Sequence, residues 1–455
     1  MEEHRRHLSA NLTDALDASR VVVLHGPRQS GKTTLARRIA TARGGDYVSL
    51  DDDDVLGLAL DDPHAFVRAF LPPVVIDEVQ RAGDRLVRAV KIAVDDGTNA
   101  AGRFLLTGST NFLTVPTISE SLAGRATILT LWPFSQAELW GTSVGTHRAA
   151  GDAPPVSAQA TQQSELTPSA VGASRSANAV ERWFDQDSSL RRAARSVTSR
   201  SDYLQKMCVG GFPEVQQLSA HRRNRWFLGY AETVVSRDIA QLGDIRRAAM
   251  LPQMLRLAAA QTSSELNVSR WADQLGADRA TVLSYLGWLR TVFLVHELSS
   301  WRRNRTSRVV QRPKLHVTDS GLAAGLLGLN AEALAALNHP MTGALFETFA
   351  VNEIVRLCSA AEMPVSLHHY RDNAQREVDL VLERSDGAVV AVEIKSTSSP
   401  RPDDLRNLVY FRDRLDAVEP GAFRAGVLLH AGANTLPHDD RLLSASLDTL
   451  WKPPR

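Results

Sequence analysis

Apolar and polar positions follow two textures along the 455-residue chain. In the first 140 residues, short uninterrupted apolar runs alternate with stretches of helical spacing. "VVVL" (21–24) leads into a glycine-rich turn, and residues 33–42 carry a helical pattern. "YVSLDDDD" (47–54), "PPVVIDEVQ" (72–80) and "RFLLTGST" (103–110) are three further predicted strands. Continuous apolar strands interleaved with helices predict a parallel sheet covered on both faces, since only such strands are buried on both sides. The acidic stretches 51–54 and 61–62 read as loop or helix-start positions.

From about 141 to 200 the pattern lapses into Ala, Ser, Gln and Pro with few aromatics. Such a segment buries too little apolar surface to offset its ordering entropy, so a disordered linker or insertion is predicted over 141–200. Helical patterning resumes over 201–248 as a lid-like module. Residues 249–318 read as a compact helical unit in which "NVSRWADQLG" and "ADRATVLSYLGWLRTVFLVHEL" flank a "GAD" turn, the spacing of a helix-turn-helix. Ser269 and Asp278 are expected N-caps and Gly276 the stop between them. "FLVHEL" and "RPKLHVTD" would supply the strands of a wing. The last part, 319–455, predicts a helix (343–357), strands (365–370, 376–383, 388–395), a second helix (403–414) and a strand near "AGVLLH".

Composition narrows the function classes. No apolar run approaches 18 residues, so no membrane helix is expected, and the charged N-terminus lacks a signal-peptide core. Two cysteines, Cys208 and Cys358, are too few for a disulfide framework, and a cytoplasmic location is expected. Fifty-two basic residues against 51 acidic ones give no global attraction to nucleic acid, so any such contact depends on local patches. Only six of the 52 basic residues are lysine, which draws attention to each one.

"GPRQSGKTT" after "VVVL" fits the spacing G-x-x-x-x-G-K-[ST] between a strand and a helix. Gly26, Pro27, Arg28, Gln29, Ser30, Gly31, Lys32, Thr33 and Thr34 would curl the backbone so that N–H groups face the phosphates of ATP. Lys32 would reach the β/γ-phosphates, and the Thr33 hydroxyl would bind Mg²⁺. In "VVIDEVQ", Asp77 would share the Mg²⁺ and Glu78 would orient and deprotonate water. Thr107, Ser109 or Asn111 in "LLTGSTN" would stand near the γ-phosphate. Arg125 in "SLAGR" is either a phosphoryl-stabilising arginine, in cis or across a subunit interface, or a surface residue. The absence of an N-K-x-D motif favours ATP over GTP.

In the helix-turn-helix, Arg279, Thr281 and Ser284 are free of the apolar stripe and would face a nucleic-acid groove. The following "WRRNRTSRVVQRPK" offers Arg302, Arg303 and Arg305 beside Trp301 for phosphate contact; protein contact alone is the alternative.

"REVDLVLERSDGAVVAVEIKS" reads as a hairpin turning at Ser385-Asp386-Gly387. With a three-residue loop Asp379 falls opposite Glu393 and Glu377 opposite Lys395, so Asp379, Glu393 and Lys395 converge; a two-residue turn breaks that alignment. Two close carboxylates with a lysine suit a Mg²⁺ site for phosphodiester cleavage, and the alternative is a surface hairpin of cross-strand salt bridges. "GALFETFAVNEI" adds an acid, Glu347, with Glu353 as rival.

Together with "WPFSQAEL", "GGFPE", "VSRDI" and "PKLHVTDSGL", these motifs make the chain resemble prokaryotic AAA-type ATP-binding proteins that end in a restriction-endonuclease-like domain of unknown function. The resemblance implies a P-loop α/β core (1–140), the linker, a helical lid and winged module, and a C-terminal α/β nuclease-like domain. Two functions are then expected. One is a Mg²⁺-dependent ATPase gating a DNA or RNA nuclease. The other is a nucleotide-dependent switch, of toxin-like or defence type, whose C-terminal domain only binds a nucleic acid, a second copy or a partner protein.

Overall fold

A computed structural model describes residues 4–96, 101–110, 122, 124–140, 178–187, 192–239, 249–303, 312–336 and 338–452. The N-terminal sheet contains β1 (Val21–His25), β2 (Tyr47–Ser49), β3 (Val74–Asp77), β4 (Phe104–Gly108) and β5 (Ala126–Thr130) in the order β2-β3-β4-β1-β5. All pairings are parallel. Side-chain alternation divides each strand between two cores. Val21, Val23, Ile76 and Leu106 face the helices Asp53–Asp61, Pro63–Arg68 and Gly83–Asp96, whereas Val22, Leu24, Val75 and Leu105 face Leu8–Ala18 and Lys32–Arg43. This is the doubly covered parallel sheet that the apolar runs predict. "YVSLDDDD" is a strand only to Ser49. Asp52 instead caps the next helix, accepting from the N–H groups of Asp54 and Val55.

A second sheet runs through most of the remaining chain. Its strands are β6 (Ala194–Arg195), β7 (Ser264–Glu265), β8 (Val295–Ser300), β9 (Lys314–Val317), β10 (Val365–Arg371), β11 (Glu377–Arg384), β12 (Val389–Lys395), β13 (Phe423–His430), β14 (Asn434–Pro437) and β15 (Leu442–Ser446). They form one ten-stranded order, β6-β14-β15-β13-β12-β11-β10-β8-β9-β7. The expected wing strands β8 and β9 pair antiparallel, but β8 also pairs with β10, joining that hairpin to the C-terminal strands. The expected boundary at 318/319 therefore does not fall at a break in the sheet, and a single apolar core extends from Ala179 to Trp451. Helix Pro340–Ser359 packs on one face, and helix Arg406–Asp416 covers the other.

Part of the predicted linker is ordered and buried. Helix Ala179–Phe184 inserts Val180, Trp183 and Phe184 into the main core and is closed by an Asn178–Glu181 capping box. Three apolar residues among the surrounding Ala and Ser suffice when a neighbouring helix receives them, and Asn178 Nδ2 donates to Leu357 O at 3.1 Å. Residues 141–177 and 188–191 lie outside the described residues. In the helical unit Asp278 is the N-cap expected of it, but Asn267 rather than Ser269 caps helix Val268–Leu275.

Candidate functional site

Because the strands are parallel, the C-terminal ends of β1, β3 and β4 meet at one sheet edge, where the loop 26–31 turns into helix Lys32–Arg43. The turn is sterically demanding. Gly26 has φ 147°, and a Cβ there would lie 2.3 Å from the Leu131 carbonyl oxygen. Gln29 adopts φ 60° and Gly31 φ 95°. Arg6 Nη1 donates to Ser30 O at 2.7 Å, fixing the loop from outside. Lys32 is buried and donates to Gly26 O at 3.0 Å and Pro27 O at 2.8 Å. Burial lowers its ammonium to about 8, against the upward pull of Glu78 and Asp77. Thr34 is exposed at the start of the helix.

Thr33 and Asp77 come together as expected: Thr33 Oγ1 donates to Asp77 Oδ2 at 2.9 Å. Tyr47 also donates to Oδ2, at 2.6 Å, and Thr107 hydrogen-bonds Oδ1. Two hard oxygens beside a phosphate-shaped loop fit Mg²⁺, which needs few protein ligands when phosphate supplies the others. Glu78 sits in the left-handed region at φ 57°, its N–H on Thr107 Oγ1 at 3.2 Å. Its carboxylate accepts from Gln80 Nε2, which also reaches Ser109 Oγ at 3.3 Å. Tyr47 is not legible as a site residue, since it reaches Asp77 only through the pairing of β2 with β3, whereas Gln80 stands in the "VVIDEVQ" motif itself, two residues after Glu78. Asn111 lies outside the described residues.

Arg125 does not reach this site within its own chain. It immediately precedes β5, whose Ala126 pairs with Val21, so it lies at the opposite sheet edge, about 16 Å from the loop by strand rise. There it pairs with Asp95 at 2.8 Å on the surface.

The helical module closes over the loop. Arg28 Nη1 pairs with Asp238 Oδ1 at 2.8 Å, and Tyr230 OH donates to Arg28 O at 3.3 Å. Asp238 belongs to the π-helical turn Val234–Ile239, the "VSRDI" segment whose role the sequence alone did not reveal. A second junction ties the N-terminal unit to helix Pro340–Ser359. Gln136 N donates to Glu353 Oε2 at 2.6 Å, and Arg356 Nη1 reaches both Phe134 O at 2.9 Å and Glu353 Oε1 at 2.6 Å. Arg356 Nη2 and Gly211 N meet Asp319 Oδ2 at 3.0 and 2.7 Å. Gly211 is required here, as a Cβ would lie 2.3 Å from Phe134 O. Arg6 extends the network to Glu138 at 3.0 Å. Glu353 thus belongs to the junction and not to the C-terminal acidic cluster.

The hairpin forms with the predicted register. The ladder runs from Glu383–Val389 to Leu380–Val392, and Arg384 N bonds Ala388 O around the Ser385–Gly387 loop. Between His368 and Tyr370, β10 advances two residues while β11 advances three, from Val381 to Val378. The extra residue is a bulge that shifts the register of β11 against β10 next to Asp379. Asp379 Oδ2 accepts from Ile394 N at 2.9 Å, and Lys395 Nζ contacts Glu393 Oε1 at 2.6 Å.

A residue overlooked in the sequence sits at the centre. Lys314 Nζ lies 2.6 Å from Glu347, 2.8 Å from Glu377 and 3.3 Å from Asp379. Burial opposes its charge, but Asp379, Glu347 and Glu377 together hold its ammonium well above the usual range. Burial and then Asp379 push the Glu347 and Glu393 carboxyls up. Both Asp379 oxygens are already engaged, and among the described residues the buried Glu393 Oε2 has no partner. An ammonium therefore stands against Asp379, Glu347 and Glu377, while the Lys395 ammonium meets Glu393, and among the described residues no group of three or more His, Cys, Asp or Glu is arranged to hold a metal ion. The rarity of lysine was the available signal, and it also applied to Lys314.

The predicted nucleic-acid residues divide between two places. Arg279 Nη1 donates to Ser269 Oγ at 3.0 Å, Thr281 is held by its Asp278 cap, and Ser284 is exposed. Arg303 instead pairs with Glu419 on the outer face of the C-terminal strands, next to Arg302. Arg305 lies outside the described residues.

Residues 18–140 match an AAA domain, 200–333 a domain of unknown function (DUF8612), and 342–449 another domain of unknown function (DUF4143). Two uncharacterized proteins, one of Mycobacterium bovis and one of Mycobacterium tuberculosis, are each 28% identical over 450 residues, covering 98% of this chain and 86% of theirs. A Walker-type ATPase of Pyrococcus abyssi overlays with TM-score 0.37 at 14% identity, over 72% of this chain and 96% of that one. None of the helices among the described residues is long and apolar enough to cross a membrane. The AAA match falls on the segment that carries the phosphate loop and the Asp77–Glu78 pair, so residues 18–140 are similar to AAA domains.

Proposed function

We propose that the chain is a Mg²⁺-dependent ATPase that acts as a nucleotide-operated switch on its C-terminal domain. The observation that carries this reading is the Thr33–Asp77 contact at 2.9 Å beside buried Lys32, with Glu78 adjacent. Lys32 is within its own loop's reach and would exchange the Gly26 and Pro27 carbonyls for phosphate oxygens. Thr33 and Asp77 would hold Mg²⁺, which when bound neutralises charge developing on the phosphoryl oxygens. Glu78, steadied by Gln80, would accept the proton of the attacking water. Any part played by Arg125 requires a second copy of the chain.

The test is steady-state phosphate release with a parallel nucleotide-binding assay. Lys32→Ala is expected to lose binding and turnover together. Glu78→Gln should bind ATP normally and turn over roughly 10²–10⁴-fold more slowly. Native turnover in both variants would refute the assignment.

For the C-terminal domain, Lys314 among the carboxylates favours binding over cleavage, because an internal ammonium already supplies the countercharge. The competing reading, a Mg²⁺-dependent nuclease, draws on the convergence of Asp379, Glu393 and Lys395 beside Glu347. Plasmid DNA incubated with the full chain, Mg²⁺ or Mn²⁺, with and without ATP, should remain supercoiled. Nicking that disappears in Lys395→Ala would establish the nuclease instead.

A further inference from the structure

On the sheet face covered by helix Arg406–Asp416, the ends of β8 and β10 enclose a cavity of about 610 Å³. That volume lies in the range of small-molecule sites. Arg302, Arg303, Arg371, Arg376 and Arg414 line it, against one lining carboxylate, Asp372. Arg303 and Arg371 have acidic partners outside the cavity, Glu419 and Glu265. Arg376 and Arg414 are held more loosely. Arg376 lies 3.8 Å from Asp372, and Arg414 donates to the neutral Tyr410 hydroxyl at 3.0 Å. Among the described residues Arg414 has no carboxylate within ion-pair distance.

The lining is also aromatic. Trp301, Tyr370 and Phe411 form a contiguous floor, with Trp301 5.1 Å and Tyr370 5.0 Å from the Phe411 ring centroid. The Arg376 guanidinium lies 3.9 Å from the Tyr410 ring centroid, a flat platform of the kind on which bases stack. Tyr370 is only 6% exposed, and among the described residues its buried hydroxyl has no hydrogen-bond partner.

We propose that this cavity binds a nucleotide unit, with phosphate on Arg376 and Arg414 and the base against Tyr410. A bare anion would use the arginines and leave the Tyr410 ring idle; an apolar ligand would not engage the guanidinium groups of Arg376 and Arg414. The unit comes either from single-stranded nucleic acid or from free nucleotide. The cavity is separate from the Lys314 cluster but borders it: Arg371 on its wall pairs across the strands with Glu377, whose carboxylate contacts Lys314. The inference deepens the reading of the C-terminal domain as a binding module and does not depend on ATP turnover.

The test uses the full chain carrying Lys32→Ala, which silences the phosphate loop. Fluorescence anisotropy with labelled oligothymidylate and calorimetry with AMP report the two sources, and inorganic tripolyphosphate is the base-free control. Adding Arg376→Ala and Arg414→Ala together should weaken the binding probe roughly tenfold or more. Tyr410→Leu, which also removes the hydroxyl that Arg414 meets, should weaken the nucleotide probe more than it weakens tripolyphosphate. Oligothymidylate binding identifies a strand as the source, and AMP binding alone identifies the free nucleotide. Both arginines are on the cavity rim, so an unchanged thermal midpoint shows that folding is intact. In an otherwise native chain the double arginine variant should keep parental ATP turnover, which separates this test from that of the ATPase. Binding of neither probe, or equal binding by the folded double variant, overturns the proposal.

Discussion

Glu78 holds a left-handed backbone at φ 57°, a conformation that costs a non-glycine residue about 1 kcal/mol or more and persists when the surroundings enforce it. Here the Thr107 hydroxyl receives its N–H and Gln80 holds its carboxylate, so neighbours on both sides fix the strained residue. Gly26 shows the same logic on the other side of the site. Its φ of 147° and the Leu131 carbonyl 2.3 Å from a would-be Cβ leave room for glycine only. Gly26→Ala should therefore weaken ATP binding by roughly tenfold or more through displacement of the loop. Titration with a fluorescent ATP analogue checks this, and an unaltered affinity would contradict the steric account. Gly26, Lys32, Thr33, Asp77 and Glu78 were legible because their spacing is itself the chemistry. Tyr47 was not, since nothing local marks a tyrosine that becomes an Asp77 partner only when β2 pairs with β3. Of the two readings of Arg125, the surface position within its own chain is the one found, because closeness along the chain to "LLTGST" says nothing about which end of the next strand it occupies.

The β11–β12 hairpin illustrates what an element's sequence conveys. A three-residue loop and period-two alternation predicted the register that aligns Asp379 with Glu393. The bulge near Asp379 was invisible, because it arises from the pairing of β11 with β10 rather than with β12. Lys314 was likewise hidden. It arrives on β9, which joins the sheet through β8 and not through any neighbour of the hairpin. Its ammonium balances buried Glu347, Glu377 and Asp379, so Lys314→Ala should cost about 3–5 kcal/mol at neutral pH. The penalty has a definite pH sign. The Glu347 and Glu393 carboxyls are raised above the ordinary range, so in the folded state they take up protons before an unfolded chain does. Their protonation contributes stability at low pH that is lost as pH rises through the raised values, which makes the missing ammonium matter most on the alkaline side. Urea midpoints of parent and variant at about pH 5.5 and about pH 8 should differ more at the higher pH. A pH-independent difference would contradict the role given to Lys314.

At the scale of the whole molecule, charged groups connect the two sheets, buried at Arg356 and partly exposed at Arg28. Arg28–Asp238 links the phosphate loop to the helical module, and Arg356 links Phe134 O in the N-terminal unit with Glu353 and Asp319 in the C-terminal one. Buried ion pairs of this type specify one arrangement of their elements, which makes them suitable relays between two arrangements. The layer order of the N-terminal unit was readable from its apolar runs. The continuity of the second sheet was not: it depends on β8 meeting β10, a parallel pairing between residues nearly seventy positions apart. Nor did the Ala- and Ser-rich stretch before Arg200 reveal that Trp183 would be buried against the C-terminal core. The most direct test of the switch is hydrogen exchange on the full-length Glu78→Gln chain, with MgATP and without nucleotide. ATP is predicted to alter protection in the segments 230–239 and 340–359 as well as in the phosphate loop, and Lys32→Ala is predicted to abolish all of these changes. Changes confined to residues 21–35 and 74–80 would contradict the account.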